Sequence, residues 1–496
     1  ALFLETVRHP ARFVAAAQRA LKKGKPIVAL KTGRGELSAR VAQAHTGALV
    51  GDDRVIDALF RQLGIIRVDT LEDLLHTANV LAQTRHLRGN RLGLVGISGG
   101  ACDLTADWAE AAGIALPVFT EQSRTELRTL LPALGPAHNP LDVTGAAITN
   151  RVLFGQLLEV LAGDPHLDLL LCQMSIPRDE QAAGGFLGDI LAGIATGLRS
   201  ASFPAFMVDV LESETTAAGR AFLERVDLPF LPGGLPRVIA ALGKGRWWAK
   251  QYQAYQAREA DSSKSAELHG ELPTIDVSAW SEWRVREFLA QQDIPLIPAR
   301  LVTTAEEAVA AAEEIGFPAA LKVVSPDILH KSDIGGVRLN LLNAEEVRAA
   351  FTQVMAAAYA ITPQPQIEGA LVSPMRTGGI ELLVGVVHDP VWGQVMAVGL
   401  GGIWVEILKD TTLRVLPVSR TDVHAMLDEL QGSKLLHGAR GSKAADIDTL
   451  VEVIYRISTL AQALGPALES LEINPLRVDG AQIEALDALI TWRSKL

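Results

Sequence analysis

Short apolar runs along this chain alternate with stretches whose apolar residues recur at helical spacing, and that pattern predicts strand following helix following strand. Residues 2–5 read as a strand. Residues 10–23 read as a helix with Phe13, Val14, Ala17 and Leu21 on one face, Pro10 in its first turn and Gly24 as its stop. The run Ile27-Val28-Ala29-Leu30 suits a buried parallel strand. A helix over 53–63, a strand over 65–68 and a helix over 71–85 continue the alternation. A second unit opens at Arg91 with a strand over 92–97, a tight turn at Ser98-Gly99-Gly100, a helix over 101–112 and a buried strand over 167–174. The fold class that follows is α/β with parallel sheets.

The pattern changes after residue 250. Residues 251–275 carry Gln, Ala, Glu, Ser, Lys and Gly with little apolar periodicity and read as a linker. Beyond it, helices over 280–291 and 304–315 precede the run Ala319-Ala320-Leu321-Lys322-Val323-Val324. Near the end, Asp479-Gly480 separates two alternating segments, a strong hairpin signal. A turn centred on that pair would set Val478 against Ala481, and Glu472 against Asp487.

Composition narrows the class. The chain has 496 residues, 48% hydrophobic and 21% charged, enough for about three domains with large cores. A net charge of −11 argues against nucleic acid as a partner. No apolar run has the length of a membrane span and no signal peptide is legible, so the cytoplasm is the expected compartment. Cys102 and Cys172 give neither a disulfide framework nor a metal-ligand spacing, and Cys172 reads as core.

Five places carry candidate chemistry. His45 lies among small residues, downstream of Lys31, Gly33, Arg34 and Gly35, where glycines let backbone N–H groups approach an anion and an imidazole can carry a phosphoryl group. Glu5 ends the first strand. If its strand neighbours the one before the His45 stretch, its carboxylate comes to the same sheet edge and would fix the imidazole tautomer; the alternative is a solvated strand-end acid. Ser98, Gly99 and Gly100, between strand and helix, form a non-specific anion-binding arrangement. Lys322 sits mid-strand, either on an exposed face or reaching phosphates, ahead of His330 and Gly335-Gly336. Glu472, Asn474 and Asp487 share one face of the hairpin, where two carboxylates and an amide oxygen suit a hard cation such as Mg²⁺. The alternative is an outward polar face of an edge hairpin.

These motifs, in this order, resemble the NDP-forming acyl-CoA synthetases, the superfamily that includes succinyl-CoA synthetase and ADP-forming acetyl-CoA synthetase. Lys31, Gly33, Arg34, Ala44, His45, Thr46, Gly47, Ala48 and Gly51 fit that family's phosphohistidine loop, and Glu472-Ile473-Asn474-Pro475-Leu476 with Asp487 fits its metal-binding hairpin. The resemblance implies two flavodoxin-like, succinyl-CoA synthetase-like parallel-sheet ligase domains followed by an ATP-grasp domain. The expected boundaries are 1–88 for the later part of the first ligase domain, 89–250 for the second, 251–275 for the linker and 276–496 for the ATP-grasp domain. His45 would be the phosphoryl carrier, oriented by Glu5 and met by the helix after Ser98. His330 would be a second carrier at the nucleotide site, which places the chain nearer the acetyl-CoA branch. Lys322, Glu368, Val372, Glu381 and Arg414 would contact the nucleotide, and Asn474 and Asp487, with Glu472, the metal.

The implied activity is that of an ADP-forming acid–thiol ligase. ATP, CoA and a small carboxylic acid give acyl-CoA, ADP and phosphate through acyl phosphate and phosphohistidine, with Mg²⁺ as metal. The resemblance also implies an upstream CoA-binding domain, in the same or a partner chain, and a homodimer. The alternative is a catalytically inactive ligase-like region of the kind fused to protein lysine acetyltransferases, in a regulatory or CoA-binding role.

Overall fold

The computed structural model describes residues 1–35, 52–84, 89–131, 137–143, 150–212, 214–261, 272, 279–328, 330–401, 410–439 and 443–493. The chain forms two compact units. The first contains Ala1–Ala48 and Leu63–Glu259, the second Leu49–Gln62 and Ala260–Leu496. Among the described residues, no helix is long and apolar enough to cross a membrane.

In the first unit, β1 (Leu2–Leu4), β2 (Ile27–Lys31) and β3 (Ile65–Val68) form a three-stranded parallel sheet in the order β1-β2-β3. β1 and β2 are direct neighbours, with Leu4 opposite Lys31, so Glu5 and Lys31-Thr32-Gly33 lie at one sheet edge as the sequence suggested. A second parallel sheet runs β5-β4-β6-β7-β8, from β4 (Leu92–Gly96), β5 (Leu141–Asp142), β6 (Leu169–Gln173), β7 (Ala205–Val208) and β8 (Phe230–Leu231). Helices cover both faces, as a parallel sheet requires. Leu157, Leu158, Ile190 and Ile194 pack on one side, and Leu235, Val238, Ile239 and Leu242 on the other.

Two local expectations need correcting. The tight turn at Ser98-Gly99-Gly100 is instead a helix start: Ser98 is the N-cap and the helix runs Gly99–Ala111. The expected linker at 251–275 opens as helix, because Gly234–Asp261 is one continuous element. Its tail is rich in Gln, Ala, Arg and Glu, which keep helix propensity without apolar periodicity. Trp248 and Tyr252 stack along it, with ring centroids 5.4 Å apart.

The second unit has two antiparallel sheets. The smaller runs β11-β10-β12-β9, from β9 (Arg300–Val302), β10 (Ala319–Val324), β11 (Val337–Leu341) and β12 (Gly369–Pro374). The larger runs β15-β14-β13-β16-β17, from β13 (Ile380–Asp389), β14 (Gly393–Leu400), β15 (Thr411–Val415), β16 (Leu468–Asp479) and β17 (Gln482–Ala485), and β18 (Ala488–Trp492) also pairs with β16. The core of the larger sheet buries Leu382, Val384, Leu471 and Ile473 against Leu450, Ile454, Ile457 and Leu460 of the helix Ile447–Leu464. Each such fully buried side chain contributes roughly 1.5–3 kcal/mol. The helix Asp53–Gln62 belongs to this unit, and the Gln62 side-chain amide both donates to the Val415 carbonyl (2.9 Å) and accepts from the Val415 N–H (2.8 Å), extending the edge of β15.

The hairpin is present, but its register differs from the expected one by two residues. Asp479 pairs with Gln482, so the turn residues are Gly480 and Ala481. Gly480 has φ +66°, as the first position of a primed two-residue turn demands. The ladder then sets Glu472 opposite Leu489, and the Asn474 N–H donates to the Asp487 carbonyl at 3.2 Å. A two-residue shift preserves the face, because strand side chains alternate with period two.

Candidate functional site

The site is built where β10, the loop after it and the β16 ladder converge. β10 alternates strictly at first: Ala319, Leu321 and Val323 enter the core of the smaller sheet, and Lys322 points to the other face. There it meets Glu282, the first residue of the helix Glu282–Gln291, which Ser281 caps by accepting from the Arg284 N–H. Lys322 Nζ forms an ion pair with Glu282 Oε1, and Lys331 Nζ donates to Glu282 Oε2 at 2.5 Å. Asp487 reaches the same two ammonium groups at longer range, 3.3 Å from Lys322 Nζ and 3.8 Å from Lys331 Nζ. Lys322 Nζ also donates to the Leu486 carbonyl (3.2 Å).

Two carboxylates and two ammonium groups meet in a half-dry site, and the buried Arg286 guanidinium is near enough to act on both acids. The Glu282 side chain is only 2% exposed and each lysine 13%, whereas Asp487 is 38% exposed. Burial by itself would lift the Asp487 carboxyl, but Lys322 and Lys331 outweigh it and hold the group below the usual carboxylate range. Burial would likewise depress the Lys331 ammonium, and Glu282 and Asp487 hold it above its ordinary value instead.

Glu282, Lys331 and Asp487 of this cluster line a cleft of about 300 Å³, together with Trp280, Ser325, His330, Glu472 and Asn474. His330 is exposed at its mouth. Asn474 Nδ2 donates to Glu472 Oε1 (3.1 Å), so this contact leaves the Asn474 amide oxygen unused, in a cleft that Glu472 and Asp487 also line. An amide oxygen and carboxylates are the donors a hard divalent cation takes, so this set fits Mg²⁺. Among the described residues, no group of three or more His, Cys, Asp or Glu side chains gathers as a metal cluster, so the amide is needed to complete a donor set here.

Two family models match the chain. The model for the ATP-grasp domain matches residues 276–491, and the model for the succinyl-CoA ligase like flavodoxin domain matches residues 1–81. Over 487 residues the chain is 31% identical to ADP-forming acetate–CoA ligase I of Archaeoglobus fulgidus, covering 96% of this chain and 67% of that protein. The chain belongs to the ADP-forming acyl-CoA synthetases. The 4-hydroxybutyrate–CoA ligase (ADP-forming) of Nitrosopumilus maritimus is also 31% identical, over 96% of this chain and 68% of that protein. A trans-feruloyl-CoA synthase from an unknown prokaryotic organism is 31% identical over 99% of this chain and 68% of its own length. Among solved structures, acetyl-coenzyme A synthetase 1 of Ca. Korarchaeum cryptofilum, crystallised with coenzyme A, is 32% identical over 49% of this chain and 99% of that one, with a TM-score of 0.41. The expected class, parallel-sheet flavodoxin-like domain and ATP-grasp domain in one α/β chain, holds for this synthetase.

Of the residues singled out in the sequence, His330, Glu472, Asn474 and Asp487 line the cleft, and Lys322 adjoins it through Asp487, 3.3 Å away. Glu368 stands just before β12, one hydrogen bond away, its Oε2 accepting from Ser281 Oγ at 2.6 Å. Three others lie apart. Val372 is wholly buried in the middle of the smaller sheet, between Leu321 and Arg300. Glu381 is exposed on β13 opposite Arg477. Arg414 is buried on β15 and bound through two nitrogens to Glu429, at 2.6 and 3.0 Å, which occupies the fork that a phosphate would use.

In the first unit, Glu5 is exposed at the end of β1. Ser98, Gly99 and Gly100 open the helix Gly99–Ala111, where a side chain at Gly99 would stand 3.1 Å from Asp142 Oδ2. His45 lies outside the described residues. Sequence reasoning missed Glu282 and Lys331. Lys331 directly follows His330, and Ser281-Glu282 reads as a helix cap with a first-turn acid; those were the available signals.

Proposed function

We propose that this chain performs the nucleotide and phosphoryl-relay chemistry of an ADP-forming acyl-CoA synthetase, which converts ATP, CoA and a carboxylic acid into acyl-CoA, ADP and phosphate. The observation that carries this reading is the cleft itself. An exposed imidazole, Lys331 and an oxygen-rich Glu472–Asn474–Asp487 set line it, with Lys322 3.3 Å from Asp487, in the part of the chain that the ATP-grasp model matches.

Lys322 and Lys331 supply positive charge for phosphate oxygens. A ring nitrogen of His330 attacks the γ-phosphorus of ATP; the N–P bond forms as the bond to ADP breaks. The phosphoryl group then passes to His45, and from His45 to the acid, giving an acyl phosphate. The CoA thiolate displaces inorganic phosphate and leaves the thioester. Asp487 and Asn474, with Glu472, are the residues that would hold Mg²⁺, whose charge would offset that of the phosphate oxygens. The remaining catalytic contribution is positioning and electrostatics. The relatives' names include an acetate, a 4-hydroxybutyrate and a feruloyl enzyme, which supports a carboxylic acid as the substrate class.

The test is phosphoryl transfer from γ-labelled ATP with Mg²⁺ onto the protein. Wild type is expected to take acid-labile, base-stable label. His330→Ala abolishes it, and His45→Ala lowers it. Absence of label on wild-type protein that binds ATP overturns the relay.

A further inference from the structure

Glu282 and Asp487 compete for the same two ammonium groups, and Glu282 holds them closer. It touches Lys322 and accepts from Lys331 at 2.5 Å, while Asp487 stands 3.3 and 3.8 Å away. The two acids differ in access as well. Both line the cleft, but the Glu282 side chain is 2% exposed and that of Asp487 38%. The helix that carries Glu282 is pinned, because its cap Ser281 donates to Glu368 at the start of β12. A buried carboxylate on a fixed helix start cannot follow a ligand outward; the exposed one can turn.

We infer that Glu282 is a positioning residue, which binds Lys322 and Lys331 from behind and so keeps Asp487 available to a divalent cation. The inference rests on the nucleotide reading of this cleft. Two lysines with no other counter-ion would both collapse onto Asp487 and clamp it, since a buried ammonium group needs a carboxylate partner. With Glu282 in place, the lysines are already neutralised. Asp487 can then exchange them for a metal, and they can meet phosphate oxygens. The site takes a cation and an anion together because Glu282 partners both lysines when neither is bound.

This separates metal binding from nucleotide binding in a way that a purely structural acid at a helix start would not. ADP affinity is measured by calorimetry on the full chain, once in EDTA and once at saturating Mn²⁺; the ratio of the two is the metal enhancement. In Glu282→Gln, the enhancement is expected to fall at least tenfold. ADP affinity in EDTA stays within threefold of wild type or becomes tighter, because a negative charge has left a phosphate site. Glu282→Asp keeps the buried charge but is one methylene too short to bridge both lysines, and it loses at least threefold of the enhancement. That variant also decides the matter if Glu282→Gln does not fold.

An unchanged enhancement in either variant overturns the inference. So does a parallel loss of ADP affinity with and without metal, which would mark Glu282 as a fold residue. Wild-type protein that binds no ADP overturns the nucleotide reading and this inference with it, whereas wild-type binding with an unaltered ratio in the variants overturns this inference alone.

Discussion

Asn474 and Asp487 face each other across the β16 ladder, the Asn474 N–H donating to the Asp487 carbonyl oxygen at 3.2 Å. That pairing fixes the two metal-type oxygens through the backbone, so neither depends on the other's side chain for its place. Asn474 is exposed, and its side chain bonds only Glu472 among the described residues. Asn474→Ala should therefore leave the fold alone, within about 0.5 kcal/mol in a urea melt. It should lower the initial rate of protein phosphorylation from γ-labelled ATP by roughly 10–100-fold at limiting Mg²⁺, recovering in part as Mg²⁺ is raised. A rate that is insensitive to this change would remove the amide oxygen from the donor set.

Arg376 and Glu484 make a second kind of pair, with two parallel bonds of 2.8 Å each and a Glu484 side chain only 11% exposed. The Arg376 guanidinium holds the Glu484 carboxyl below its usual range, against the lift that burial gives it. A carboxyl with a lowered folded value contributes stability that is complete above its unfolded value, near 4.3, and that disappears as pH falls through the folded value. Arg376→Ala is expected to cost roughly 2 kcal/mol at pH 7, because it removes both bonds to a mostly buried carboxylate and leaves only Arg477, at 3.9 Å, as its ion-pair partner among the described residues. The gap between wild type and variant in urea should narrow below about pH 4. A gap that persists unchanged at pH 3 would show that packing of the Arg376 stem, and not the pair, is what was lost.

What was legible in the sequence follows from what local pattern can encode. β2, β3 and β10 were readable because short apolar runs bounded by turn residues have few other solutions. Glu472, Asn474 and Asp487 were correctly placed on one face although the register was shifted by two, since face depends on parity and register depends on which residues turn. Gly480 was recognised as a turn residue, but a dipeptide does not say whether its glycine is the first or second turn position. Glu282 could not be distinguished from an ordinary first-turn acid, because its partners lie 40 and 49 residues away and on other elements. The Arg414–Glu429 pair was illegible for the same reason: Glu429 meets the guanidinium only once β15 and the helix Arg420–Asp428 have packed.

Gly369 lies at the start of β12, next to Glu368, with φ +146°. A Cβ built there would stand 2.3 Å from the Val302 carbonyl oxygen, so both the backbone conformation and the strand contact exclude a side chain. Gly369→Ala is expected to destabilise the second unit by about 2 kcal/mol or more. Because β9 and β12 would separate next to Glu368, faster hydrogen exchange at Leu301 and Val302 should accompany the loss. Wild-type exchange in those amides would mean that the strand accommodates the methyl group by a local shift.

The two cysteines test whether the helix after β4 is as closed as its packing indicates. Cys102 lies in the first turn of that helix, where a helix terminus ordinarily favours a thiolate. Burial wins: it pushes the Cys102 thiol up to about 11, with Asp142 and Asp103 adding to the shift. Cys172, wholly buried in β6, is raised further by burial alone. At pH 7 a thiol with a value of about 11 is thiolate in roughly one molecule in ten thousand. Both sulfurs are also shielded from reagent. Native protein should therefore show no thiol reacting with a disulfide-exchange reagent over an hour at pH 7, and two after denaturation. Rapid reaction of one thiol, removed by Cys102→Ser, would show that the first turn of the helix opens in solution and that its N–H groups are reachable by a ligand. Slow reaction of both at one common rate would instead report unfolding of the whole unit, because Cys172 can be reached only when the parallel sheet comes apart.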